Sequence, residues 1–230
     1  MNRLERIAWL RQGNPRIAPS LLACDFVRLE SELQALDNGG AEVLHLDVMD
    51  GHFVPNLTIG PPAIKALRNY TKLPFDVHLM IKPVHKYIKS YAEAGANIIT
   101  VHPEATESLK DSIKHIKELG KKVGVSLNPD TKTDIIKKKL PEIDLILIMS
   151  VHPGFGGQKF IPEVLSKIEE LKDIKLKENL KFDIEVDGGI DFNNSKLVVK
   201  AGANILVSGT TIFKNNNGDI KKNIQILKSI

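Results

Sequence analysis

Three stretches of the sequence set ionisable residues at every second position inside otherwise apolar runs. The run 42–48 and the residues after it carry His45, Asp47 and Met49. The run 75–80 carries Asp76, His78 and Met80, and the run 182–188 carries Asp183, Glu185 and Asp187. Side chains of an extended strand alternate between its faces, so each triplet shares one face. Leu44, Leu46, Val77, Leu79, Ile184 and Val186 fall on the other. Strands of a parallel sheet are buried on both faces and normally read as continuous apolar runs, so a polar face needs a cause. Two imidazoles and two aspartates converging from the C-terminal ends of these runs make a donor set for a divalent cation. Mixed nitrogen and oxygen donors suit zinc, iron(II), manganese or cobalt, and the residue types do not choose among them. The competing account is a hydrogen-bonded polar network without metal. Against it, burying carboxylates with no cationic partner costs roughly several kcal/mol per ion.

A second group of residues reads as an anion site. His152-Pro153-Gly154-Phe155-Gly156-Gly157-Gln158 follows the run 144–150, Gly188-Gly189 follows Asp187, and Ser208-Gly209-Thr210 ends the run 204–210. Glycines let backbone N–H groups approach a phosphate closely, and helix N-termini add positive potential. Taken singly, each pair is equally a tight turn. Apart from Met1, the methionines are Met49, Met80 and Met149, each at the C-terminal end of an apolar run. They are either core gap-fillers or a polarisable surface beneath a reactive intermediate.

The elements that must position these residues are legible as alternation. Apolar, β-branched runs at 16–22, 42–48, 75–80, 97–102, 122–128, 144–150, 182–188 and 204–210 predict eight strands. Helical spacing marks 26–36, 64–67, 84–94, 109–119, 164–174 and 220–227, with weaker segments at 135–140 and 197–201. Gly39-Gly40, Gly95 and Gly202 stand where helices should end, and Pro61, Pro83 and Pro162 where they should begin. Eight alternating βα units imply parallel strands and a compact α/β fold, a single (β/α)8 barrel over residues 16–230 with an extension at 1–15. The rival, a doubly wound open sheet, usually carries a GxGxxG turn after its first strand, whereas here that turn reads SLLACD. The phrase AGAN at 94–97 recurs at 201–204, each time entering a strand.

Composition narrows the function classes. The chain has 230 residues, 42% hydrophobic and 26% charged, enough for one large core. Net charge is +4 and aromatics make up 5%, which argues against a base-stacking nucleic-acid surface, and Lys137-Lys138-Lys139 reads as a solvated helix end. No run approaches the ~20 apolar residues of a membrane span. The single Cys24 fits a reducing compartment, and the N-terminal residues lack a signal-peptide core, so a cytoplasmic protein is expected.

The phrases IAPSLLACDF, LHLDVMDGHFVPNLTIG, DVHLMI, HPEAT, MSVHPGFGGQKFIPEVL, IEVDGG and ANILVSGT together resemble the ribulose-phosphate 3-epimerase family from about Ile17 onward. The resemblance implies an enzyme of the pentose phosphate pathway that interconverts D-ribulose 5-phosphate and D-xylulose 5-phosphate, using one divalent metal ion. It implies His45, Asp47, His78 and Asp187 as ligands, and Asp47 and Asp187 as the acid/base pair of a two-base proton transfer at C3. Ser20 and His78 would contact substrate, with Met49, Met80 and Met149 near the enediolate. Gly154, Phe155, Gly156, Gly157, Gly188, Gly189, Gly209 and Thr210 would line the sugar and its phosphate. A homo-oligomer, dimer or hexamer, is expected. The chain departs from the family in three places. Trp9 lies in a segment before the usual start, read as a helical extension packing on the barrel or on a neighbouring subunit. His152 stands where Asn, Glu or Asp is common. Thr210 replaces a common Ser and keeps the hydroxyl. The alternatives are a 3-epimerase for another ketose phosphate such as D-allulose 6-phosphate, a barrel isomerase without metal, and a non-catalytic barrel binding protein. His85, His102 and His115 take no role, His102 being expected at the pocket's edge and His115 exposed on a helix.

Overall fold

A computed structural model describes residues 15–230. The expected extension, with Trp9, lies outside the described residues except for its last member, Pro15. The strands are β1 (Arg16–Pro19), β2 (Leu44–Met49), β3 (Phe75–Met80), β4 (Ile98–Val101), β5 (Lys122–Leu127), β6 (Leu145–Met149), β7 (Asp183–Asp187) and β8 (Ile205–Ser208). All neighbouring pairs are parallel, in the order β1-β8-β7-β6-β5-β4-β3-β2, and a parallel bridge from Ser20 to His45 joins β1 to β2 and closes the ring. This is the expected (β/α)8 barrel. Alternation sorts the strand side chains as their parity predicts. Leu44, Leu46, Phe75, Val77, Leu79, Ile184 and Val186 face the helices in the main core. Ala18, Ile98, Leu145, Leu147, Ile205 and Val207 pack together inside the barrel.

The helices are α1 (Leu29–Gly39), α2 (Pro61–Leu67), α3 (Ile88–Glu93), α4 (Leu109–Glu118), α5 (Leu165–Lys177), α6 (Ser195–Ala201), α7 (Thr210–Lys214) and α8 (Ile220–Lys228). Gly40 and Gly202 cap α1 and α6 at positive φ, and Pro61 opens α2. Two expectations are corrected. Residues 135–140 form no α-helix but fall in two 3₁₀ turns, Thr133–Ile135 and Lys137–Glu142. Pro141 is the reason: it offers no N–H and disfavours helical backbone at Leu140. The eighth strand ends at Ser208, and Gly209 caps the short α7 that the run 204–210 concealed.

The AGAN repeat marks a recurring joint at the N-terminal end of the barrel. Asn97, just before β4, donates its N–H to Phe75 O and accepts the Phe75 N–H on Oδ1. Asn204, before β8, does the same with Ile184. Asp144 before β6 repeats the pattern with Val123, and Glu42 before β2 with Ile17. Every even-numbered strand is thus clamped to its odd-numbered predecessor by one side-chain acceptor. Asp183, which shares the face of Glu185 and Asp187, also lies at this end. It pairs with Arg16 at 2.6 Å and takes no part in the site at the opposite end.

Candidate active site

β2, β3 and β7 bring His45, Asp47, His78 and Asp187 to one point at the C-terminal end of the barrel, with one donor atom from each within 4.8 Å of all the others. His45 Nε2 and His78 Nδ1 lie 3.3 Å apart, and each is 3.5 Å from Asp47 Oδ1. Asp187 Oδ2 is 3.9 Å from His45 Nε2. Zinc–nitrogen bonds of about 2.0–2.1 Å at a tetrahedral angle would separate two nitrogens by roughly 3.3 Å. Both imidazoles are fully buried and face two carboxylates, so spacing and donor chemistry both fit a divalent cation.

The two carboxylates differ in their surroundings. Ser20 Oγ donates to Asp47 Oδ2 at 2.6 Å. Burial opposes the charge on Asp47, but His45 and His78 outweigh it and hold this carboxyl well below its usual range. Asp187 has no such hydrogen bond. Burial, then the charge of Asp47, push it up to about 7. Asp47 is therefore held ionised, while Asp187 takes up a proton far more readily.

A second tier lies beneath. His45 Nδ1 is 2.9 Å from Asp76 Oδ2, and Asp76 Oδ1 accepts from Thr100 Oγ1 at 2.7 Å. Gly124 makes room for this: a Cβ there would lie 2.9 Å from Thr100 Cβ. Glu185 Oε1 is 3.6 Å from His45 Nδ1. Burial and the Asp76 carboxylate raise Glu185 to about 8. Burial lowers His78 to about 4, and it also lowers His102.

Above the carboxylates opens a cavity of about 300 Å³. Its wall includes Ser20, the three methionines, the loop 154–157, Gly188-Gly189 and Gly209-Thr210. His45 and His78 are not on this wall but behind Asp47, so His78, expected at the substrate, sits one layer deeper. The glycine loops are stapled by side chains that sequence reasoning passed over. Ser150 Oγ donates to Gly188 O, Ser208 and Thr211 hydroxyls donate to Ile190 O, and Asn56 Nδ2 reaches Gly154 O. Short hydroxyl and amide side chains near turns gave the only signal. Gly188 and Gly189 have φ of +125° and +63°, and a Cβ on either would come within 2.6 Å of Val151 or of the Phe160 backbone nitrogen. Asp191 and Asn215 also line the cavity without having been anticipated.

The other histidines divide. His102 is fully buried against His78 rather than at the cavity edge. His115 is half-buried on α4 rather than exposed, and His85 is half-buried in a 3₁₀ turn. His152 is exposed at the rim, 3.8 Å from Asp130. Among the described residues no helix is long and apolar enough to cross a membrane.

Comparison with known proteins adds an independent line. The model of the ribulose-phosphate 3 epimerase family matches residues 16–213. A ribulose-phosphate 3-epimerase of Bacillus subtilis is 49% identical over 216 residues, 93% of this chain and 98% of that protein. Another, from Synechocystis, is 52% identical over 203 residues, 87% of this chain and 88% of that protein. Among solved structures, a tryptophan synthase alpha-subunit mutant from Pyrococcus furiosus superposes with a TM-score of 0.71 at 17% identity, over 95% of this chain and all of that one. At that identity the likeness speaks for the barrel alone.

Proposed function

The chain belongs to the ribulose-phosphate 3-epimerase family, and from that membership we propose that it interconverts D-ribulose 5-phosphate and D-xylulose 5-phosphate by inverting C3. The observation that carries the mechanism is the meeting of Asp47 and Asp187, from strands three apart in the ring, at one cavity floor in surroundings that push their proton affinities apart. His45, Asp47, His78 and Asp187 would hold one divalent cation, either zinc, iron(II), manganese or cobalt. When bound, it supplies Lewis-acid stabilisation of negative charge on the substrate oxygens.

The C3 proton lies α to the C2 carbonyl. In one direction Asp47, ionised, takes that proton, and the C3–H electron pair becomes the C2–C3 double bond of an enediolate. Asp187, neutral, returns a proton to C3 from the opposite face, and the double bond collapses back to the carbonyl. Asp47 ends protonated and Asp187 ionised, which is the starting state for the reverse direction. Two carboxyls with separated pKa values can divide acid and base roles in this way. Ser20 orients Asp47 through Oδ2, and burial keeps water from competing for the carbanion. Residues 154–157, 188–189 and 209–210 would hold the sugar phosphate, with Met49, Met80 and Met149 against the planar intermediate.

Proton NMR of D-ribulose 5-phosphate in D₂O with metal-supplemented protein tests the reading. Loss of the C3 proton signal with growth of C3-deuterated xylulose 5-phosphate is expected. No change with metal bound would overturn it and make a six-carbon ketose phosphate the next substrate to try. We extend the reading to residues 16–230 as the catalytic unit, with 1–15 as an extension, in a cytoplasmic homo-oligomer, dimer or hexamer. Sedimentation of the purified protein checks the last point.

A further inference from the structure

Each imidazole of the candidate metal centre has a second ring nitrogen turned away from it. For His45 that nitrogen meets a carboxylate, Asp76. For His78 it meets another imidazole: His78 Nε2 lies 2.8 Å from His102 Nε2. The two rings meet edge to edge and are nearly coplanar, with centroids 5.0 Å apart and 22° between their planes. Phe53 covers His102 with its own centroid also 5.0 Å away. His102 is fully buried, and its other nitrogen, Nδ1, has no hydrogen-bond partner. It faces Glu104 Oε2, 3.6 Å away, which is itself buried and unpartnered. Glu104 Oε1 accepts from the Thr131 hydroxyl.

Two ring nitrogens at 2.8 Å share one proton, and there are two ways to place it. If His78 donates, its Nδ1 is bare and turned towards His45 and Asp47, ready to ligate. Neutral His102 then accepts on Nε2 and carries its own proton on Nδ1, facing Glu104. If His102 donates instead, His78 carries its proton on Nδ1, pointing into the centre and blocking ligation. A carboxylate opposite His102 Nδ1 favours the first arrangement, because it gives that proton an acceptor. We propose that His102 and Glu104 are positioning residues, which fix the tautomer and ring orientation of His78 so that Nδ1 is the ligating atom. The inference rests on the metal reading above. It makes the outer support of this ligand a neutral ring backed by a half-buried carboxylate, reaching from the barrel interior to Thr131.

Outer partners of ligating histidines typically change metal affinity by about 10–100-fold when removed. The test is cobalt(II) binding, read by competition with a chromophoric chelator and by the visible absorption of the bound ion. His102→Leu is expected to weaken binding in about that range and to change the spectrum. His102→Gln, whose amide oxygen can still accept from His78, should recover most of the affinity. Glu104→Ala should weaken binding several-fold. Wild-type affinity and an unchanged spectrum in His102→Leu and Glu104→Ala would overturn the proposal. If His102→Leu fails to fold, Glu104→Ala and His102→Gln decide it on the same criterion. If the wild-type protein itself takes up no cobalt, the metal reading fails and the inference falls with it, an outcome distinct from equal binding by wild type and variants.

Discussion

Asp47 and Asp187 carry the same side chain, and their neighbours make them different reagents. Replacing either by Asn should lower kcat by about a hundred- to ten-thousand-fold, the usual contribution of a positioned acid or base, while circular dichroism stays native. Turnover close to wild type in either variant would remove that residue from the proton path. Glu185 offers a second test, on protein stripped of metal by a chelator. Its folded pKa of about 8 stands above the ordinary 4.5. The native state therefore holds a proton that the unfolded chain has released, and the associated stability is complete below the unfolded pKa and lost as pH rises through about 8. Between about pH 4.5 and 8 the melting temperature should fall on this account, levelling off above, and Glu185→Gln should flatten that fall. An identical slope in the variant would refute the assignment. The polar parity of β2, β3 and β7 could be read from the sequence because alternation fixes which side chains share a face. His102 could not, because nothing in one strand says which ring lies behind which.

At the scale of elements, strand rhythm was legible and strand ends were not. Ser208 and Gly209 are adjacent in an unbroken run, yet one ends β8 and the other starts the turn into α7. The lysine-rich stretch after β5 has helical spacing, and Pro141 keeps it in 3₁₀ turns. The clamps between strand pairs show the same limit. Asn97 and Asn204 announce themselves by the repeated AGAN, whereas Glu42 and Asp144 fill the same place with different chemistry and no shared phrase. What the joint requires is an acceptor oxygen at the right height, and three residue types provide one. The glycine loops carry a sharper prediction. Gly189→Ala would drive a Cβ to within 2.6–2.7 Å of the Phe160 nitrogen and Gln158 oxygen at positive φ. A loss of about 1–3 kcal/mol is expected from the backbone strain alone. If the loop holds phosphate, KM should rise more than kcat falls. A variant with wild-type melting temperature and KM would show that the loop can move aside.

For the whole molecule, metal and fold are linked. A ligand at a hundred times its Kd that binds only the folded state adds about 2.7 kcal/mol. For a chain of this size that raises Tm by roughly 5–10 °C. Scanning calorimetry of stripped protein with and without cobalt should show a rise of that order, absent in Asp187→Asn; an equal rise in the variant would place the ion elsewhere. The closure of the ring is a property no single strand reveals. Glu42 ties its clamp to the C-terminal helix: Oε2 accepts the Ile17 N–H, and Oε1 lies 3.0 Å from Lys228 Nζ, which also donates to Gly40 O. The seam between the first two strands is thus fastened by a residue of the final helix. During synthesis, β1 and β2 are made first, and six further strands follow before the helix that supplies Lys228. Each odd–even pair can clamp as soon as it emerges, whereas the added tie from Lys228 to Glu42 and Gly40 forms only once α8 is made. The contact that ties the β1–β2 seam to α8 therefore joins two of the parts of the barrel farthest apart in sequence, residues 42 and 228.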